Sequence, residues 1–241
     1  MPVAKKPTAQ AVSRHLQTLS SATRARASAR FFRTGPGQYS HGDVFIGVNV
    51  PDQRKVARHF ADLPLPEIDK LLQSKTHEHR LTGLFILAAQ YKAADPKSQK
   101  ALAKFYLARK HRINNWDLVD SSASYVLGHH LLSTSRTELY RLARSKNLWD
   151  KRIAIIATAA FIREGEYRDT LNIAAILLHD AHDLIHKAVG WMLREVGNKS
   201  LATEERFLRK YAATMPRTML RYAIEKFPER KRKAYLNLRA S

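Results

Sequence analysis

Three segments decide the fold: Asn114-Asn115-Trp116-Asp117, Asn147-Leu148-Trp149-Asp150 and Asp180-Ala181-His182-Asp183. They recur at intervals of 33 residues. In each, the leading Asn or Asp can accept the unpaired backbone N–H groups that open a helix. The Asp three positions on then interacts favourably with the positive helix end. Apolar residues between the segments return at steps of three and four, nothing alternates in the manner of strands, and no proline occurs between Pro96 and Pro216. A 33-residue helix pair cannot bury both faces alone, so neighbouring pairs must stack. The expected fold is all-α: a solenoid of helical hairpins whose equivalent helix starts share one rim.

Working outward, the spacing predicts a basic helix over about 8–32 and a Gly-rich loop over 34–50, where Gly35, Gly37, Gly42 and Gly47 cluster with Pro36. Helices are expected at about 51–62, 65–73, 77–93, 96–112, 115–132, 134–145, 148–164, 167–179, 181–197, 201–214, 216–227 and 229–239. Residues 1–8 read as a flexible tail, and the whole of 1–241 as a single repeat domain.

Charge narrows the function. The 241 residues carry 42 Lys and Arg against 21 Asp and Glu, a formal net charge of +21. Such an excess points to a polyanionic partner, most often nucleic acid. There is no cysteine, so disulfides, thiol catalysis and cysteine-held metals are excluded. The longest uncharged apolar run, Ile153–Ile162, is ten residues, too short to span a bilayer, and no secretory signal opens the chain. No membrane partner is expected, and the expected location is cytoplasmic, on nucleoid DNA. No acid precedes Asp43. That suits either a transit peptide or, as favoured here, a first helix facing a polyanion. Basic clusters at Lys110-His111-Arg112, Arg206 to Lys210, Arg217 to Arg221 and Arg230 to Lys233 fit backbone contacts to nucleic acid.

Asp120 lies a full turn past the capping position and four residues from Trp116, on one helical face. An acid there is ordinarily solvated or salt-bridged. The alternative is a carboxylate placed on a cationic surface to stabilise a positive transition state. Trp149, followed by Ile153, Ile155 and Ile156, reads as core, whereas Trp116 and Trp191, the latter beside Arg194 and Glu195, read as surface residues. His179, His182 and His186 could share a face, but two of them straddle a helix start. His77-Glu78-His79 lacks zinc-protease spacing, and no metal is expected.

The segments Trp116-Asp117-Leu118-Val119-Asp120, Leu148-Trp149-Asp150-Lys151-Arg152 and Gly190-Trp191-Met192-Leu193-Arg194-Glu195 resemble the AlkD-type DNA alkylation repair glycosylases, a family with HEAT-like repeats. The likeness runs from about Ala29 to about Phe227. It implies a concave basic surface and excision of N3- and N7-alkylated purines from double-stranded DNA by a monomer without cofactors, in base excision repair and without base flipping. It makes Asp120 the catalytic carboxylate, Trp116 and Trp191 contacts to the lesion nucleotide, and Arg152 a phosphate contact, with Arg194 beside Trp191 among the DNA-binding residues. Phe31 stands where the family has a Tyr, keeping the aromatic surface and losing a hydroxyl. No lysine stands in an apolar setting, so strand cleavage is not expected. The second reading is a non-enzymatic binder of bent or branched DNA. A third is a protein-binding solenoid, which the charge disfavours.

Overall fold

The computed structural model describes residues 7–238. Most of the expected tail, Lys5 and Lys6 included, lies outside the described residues. Thr8 does not belong to a tail, because its hydroxyl accepts the Ala11 N–H and caps the first helix. Among the described residues every regular element is helical, apart from one isolated bridge between Val44 and Thr76.

The chain divides into two compact units, one ending at Val126 and the other starting at Leu127. The first holds α1 (Ala9–Thr18), α2 (Ala22–Phe31), α3 (Val50–His59), α4 (Leu65–Leu72), α5 (His77–Ala93), α6 (Pro96–Ala108) and α7 (Trp116–Asp120). Its core is α5, which is apolar on nearly every side over Leu81–Leu87 and packs against α1, α3, α4, α6 and α7. Leu84, Ile86 and Leu87 are fully buried there, each worth about 1.5–3 kcal/mol of removal from water.

The second unit holds α8 (His129–Leu131), α9 (Thr137–Ala143), α10 (Leu148–Ala157), α11 (Ala159–Arg163), α12 (Arg168–Ile176), α13 (Asp183–Lys199), α14 (Leu201–Tyr211), α15 (Arg217–Ala223) and α16 (Glu229–Leu236). Here α13 is central and packs on α10, α12, α14 and α15. Because α10 and α13 carry the second and third copies of the repeat signature, their contact is the stacking the 33-residue period demands. Gly190 permits the close approach of α15, since a Cβ at that position would stand 2.4 Å from the Met219 carbonyl.

Local chemistry explains where helices depart from expectation. The basic helix over 8–32 is two helices. The Ser21 N–H leaves the helical ladder for the Ile46 carbonyl, while the Ser21 hydroxyl caps α2 through the Arg24 N–H. The helix expected over 115–132 stops at Asp120, where the Ser122 hydroxyl donates to the Leu118 carbonyl and a π turn follows over Ser124–Gly128. Thr158 acts similarly on Ile155 and divides 148–164 into α10 and α11. Two of the three expected caps are also displaced. Asn147 caps α10 as expected, but Asn115 rather than Asn114 caps α7, and His182 rather than Asp180 caps α13.

Gly47 and Gly37 both hold positive φ (78° and 73°), yet only Gly47 is crowded, a Cβ there falling 2.2 Å from the Ser21 carbonyl oxygen. Gly37→Ala should therefore cost about 1–2 kcal/mol of left-handed backbone strain. Gly47→Ala should cost at least twice that, because the clash adds to the strain. Thermal melts check the ordering, at roughly 2–4 °C per kcal/mol for a chain of this size.

Candidate nucleic-acid interface

The first unit builds its part from the short helix α7. Asn115, buried, accepts the Trp116 N–H at 2.8 Å and donates through Nδ2 to the Ser40 hydroxyl at 2.6 Å. One side chain thereby caps the helix and ties it to the loop after α2. Asp117 accepts the Leu118 N–H through Oδ1 and, through Oδ2, hydrogen-bonds His77 Nε2 at 2.7 Å. The other nitrogen of His77 reaches Asp43 at 3.2 Å, and Arg80 pairs with the second oxygen of Asp43 at 2.7 Å. Two buried cations and two carboxylates alternate, so the charges balance out of water.

This setting decides the state of His77. Burial alone would lower its pKa, but the hydrogen bond and charge of Asp117, with the hydrogen bond to Asp43, outweigh burial and raise it to about 9. The ring is therefore an imidazolium at neutral pH, and both nitrogens donate. Burial would raise the pKa of Asp43, but His77 and Arg80 overcome it and hold it below the ordinary carboxylate range. Next in sequence, buried Glu78 accepts the N–H groups of Ile46 and Gly47, the latter at 2.7 Å, and fixes the loop at its far end.

Rings are layered on this clamp. His77 stacks on Phe45 (centroids 4.7 Å apart), Phe45 on Phe32 (5.0 Å) and Phe32 on Trp116 (5.0 Å, planes 16° apart). Phe31 meets Trp116 edge-on at 5.9 Å and is 67% exposed. The Trp116 indole N–H donates to the Tyr39 hydroxyl at 3.2 Å, which holds the ring plane. Trp116 is half-buried, with its position set on several sides. Asp120 ends the same helix, also half-buried, in the register that puts it on the Trp116 face. Burial pushes the Tyr106 hydroxyl above its ordinary range, against the lowering effect of its hydrogen bond to Ser122.

The exposed helix α2 leads into this stack. It buries none of its residues, and Arg24, Arg26 and Arg30 are all exposed on it. Arg24 ties it down through the carbonyls of Gly47 and Leu19.

In the second unit, Arg152 is buried and donates through Nη1 to the Leu184 carbonyl in the first turn of α13. Trp191 is half-buried and donates through Nε1 to Glu195 at 3.0 Å, while Arg194 pairs with Glu225. Trp149 is half-buried as well. The core place expected for it is taken by Ile153, Ile155 and Ile156. The histidines have other duties, since His182 caps α13 and His186 contacts the Asp180 carbonyl. Among the described residues, no three His, Asp or Glu side chains are grouped to hold a metal ion.

Sequence reasoning singled out Phe31 and passed over Phe32, although Phe32 lies flat on Trp116. It also set aside His77 for failing a zinc motif. The signal available was the acidic pair Asp43 and Asp117 with a histidine between them in sequence, which means nothing until the loop folds back. No helix among the described residues is long and apolar enough to cross a membrane.

A family model described as "DNA alkylation repair enzyme" matches residues 12–227. The chain belongs to that family. It is thus an enzyme of alkylation repair with DNA as its partner. Among solved structures, a predicted DNA alkylation repair enzyme from Enterococcus faecalis aligns with a TM-score of 0.67 at 15% identity, over 89% of this chain and 99% of that one. At that identity the likeness shows the shared all-α, solenoid-like fold and nothing further. No curated protein matches the chain.

The buried imidazolium makes stability depend on pH with a definite sign. A folded pKa of about 9 against the ordinary 6.5 means the folded state holds its proton more tightly. The stabilisation is complete below about pH 6.5 and is lost as pH rises through 9. Glu204 adds a second decline, because burial first, and the charge of Glu205 second, raise it from 4.5 to about 8. Urea unfolding should therefore show stability falling from pH 6.5 to 9, by on the order of 1–3 kcal/mol from His77. His77→Gln should flatten the part of the curve between pH 8 and 9, which Glu204 does not control.

Proposed function

We propose that this protein hydrolyses the N-glycosidic bond of cationic alkylated purines, N7-alkylguanine and N3-alkyladenine, in double-stranded DNA, as the first step of base excision repair. The observation that carries the reading is the placing of Asp120 with Trp116 on one clamped helix, in a chain with a net charge of +21. A carboxylate opposes phosphate binding. Its presence on α7 makes sense where positive charge develops during the reaction.

An alkylated purine already bears a positive charge, so it departs with the bonding electron pair and becomes neutral without first being protonated. The C1′–N bond breaks, and the sugar becomes an oxocarbenium-like cation. Asp120 stabilises that cation and orients the water whose oxygen bonds to C1′, and the water's proton passes to the carboxylate or to solvent. The products are the free alkylated base and an abasic site. Trp116, held flat by Phe32, offers its π face to the same transient charge, and Phe31 extends the aromatic surface outward. The clefts of about 650 and 500 Å³ in the described structure are lined by neither Asp120 nor Trp116. Attack without rotation of the base into a deep pocket belongs to this reading as the family resemblance implies it.

In the second unit Trp191 and Arg194 are assigned to DNA contact, Arg194 exchanging Glu225 for phosphate. Arg152 is assigned a different part from the phosphate contact that the resemblance implies. Buried against the Leu184 carbonyl, it positions the start of α13. The alternative of a non-enzymatic DNA binder draws on α2, whose exposed arginines would serve either role.

Asp120→Asn should slow release of N7-methylguanine from methylated duplex by roughly a hundred- to a thousand-fold while duplex binding is kept. Chromatography of the released base measures this. An unchanged rate would remove Asp120 from the chemistry, and no release by the unaltered protein would favour the binder.

A further inference from the structure

A second feature of the first unit has no part in this chemistry. Arg54, Ala57 and Arg58 from α3, Phe85, Ala88, Ala89 and Lys92 from α5, and Ser121 and Tyr125 from the turn after α7 line a cleft of about 230 Å³. Its position is informative, since Ser121 directly follows Asp120. So is its charge, because three cations and no carboxylate line it.

Elsewhere many basic side chains have acidic partners, as in Arg109 with Asp69, Arg136 with Glu166 and Asp169, and Lys231 with Glu205. Among the described residues, Arg54, Arg58 and Lys92 take part in no ion pair. They also differ from the solitary arginines of α2 in sharing one apolar floor. The Arg54 guanidinium lies 4.1 Å above the centre of the Phe85 ring, so one face is held and its in-plane donors stay available. Arg58 stands one turn along α3 on the same side, and Lys92 stands two turns along α5 from Phe85. Ala57, Ala88 and Ala89 keep the floor low. The volume is below that of sites that enclose a small molecule, but it suits an anion carried on a longer chain.

The geometry points to a groove for a phosphodiester of the DNA strand that continues from the lesion nucleotide facing Asp120. Arg58 and Lys92 neutralise the phosphate, Arg54 adds directed N–H donors, the Ser121 hydroxyl donates as well, and Tyr125 (49% exposed) packs against the sugar. The contact fixes the register of the strand without reading its sequence. This inference rests on the proposed placing of the lesion nucleotide at Asp120, but not on hydrolysis taking place there.

The test is binding of a duplex carrying an abasic-site analogue, followed by fluorescence anisotropy across a range of salt concentrations. The unaltered protein is compared with Arg58→Gln/Lys92→Gln, which keeps Arg54 on Phe85 and changes only exposed side chains. Each lost phosphate contact lowers the slope of log affinity against log salt by about 0.9, so a fall of about two is expected if the two cations hold separate phosphates and about one if they share one. The second arm removes base pairs from each flank of the lesion in turn. Loss of one flank should make the two proteins bind alike, and loss of the other should not. An unchanged slope overturns the proposal. So does a lowered slope that is indifferent to both flanks, which would mean general attraction. Competition by inorganic phosphate at constant ionic strength that matches the variant's loss would assign the groove to free phosphate, which also overturns it. Base release by the unaltered protein is followed separately, so a failure of the glycosylase reading leaves the slopes interpretable.

Discussion

The arrangement of the first unit depends on a proton kept on His77. Without it, Asp43 and Asp117 would be two carboxylates facing a neutral ring, with only Arg80 to balance them. With it, the imidazolium donates in two directions and links three parts of the chain that are far apart in sequence: the loop after α2, the start of α5 and the start of α7. Few side chains could do this. An amide would supply the donors without the charge, and a lysine would supply the charge without a flat ring for Phe45 to stack on.

Everything placed on α7 inherits this constraint. A helix of five residues has little stability of its own, since nucleation costs more than so few hydrogen bonds return. It is held by its two ends, through Asn115 to Ser40 and Asp117 to His77 at one and through Ser122 to Tyr106 at the other. The ring stack then adds apolar contact along its flank. Trp116 and Asp120 project from a short element fastened on several sides, and groups meant to meet developing charge need that sort of preorganisation.

What was legible in the sequence follows from what acts locally. Apolar patterning placed α5 at its observed bounds and nearly so α4, because α4 buries one face and α5 is buried almost all round over Leu81–Leu87. The 33-residue period anticipated that α10 and α13 would pack together. Hydroxyl insertion was harder to foresee. The hydroxyls of Ser122 and Thr158 bond helix carbonyls, and the Ser21 N–H leaves its helix for the Ile46 carbonyl; tertiary neighbours such as Tyr106 and Ile46 settle whether that happens. The same limit applied to the site. Trp116 and Asp120 are four residues apart and could be paired from spacing, whereas the ion clamp joins residues 34 and 40 positions apart. The three tryptophans could not be sorted into core and surface, because all are half-buried.

The placement of charge shows the opposing demands on such a surface. Affinity for DNA favours unopposed cations, and Arg54, Arg58 and Lys92 stand in a cleft that no acid lines. Stabilising a cationic sugar favours a carboxylate, which lowers affinity wherever it stands. Both demands can be met only if the acid is held apart from the phosphates. In the proposed reading that division falls at the end of α7, where Asp120 closes the tryptophan-bearing helix and Ser121 and Tyr125 line the cationic cleft. On this argument the Ser122 hydroxyl, which donates to the Leu118 carbonyl where the helix stops, bears on function through the backbone, although it touches neither DNA nor the reacting atoms.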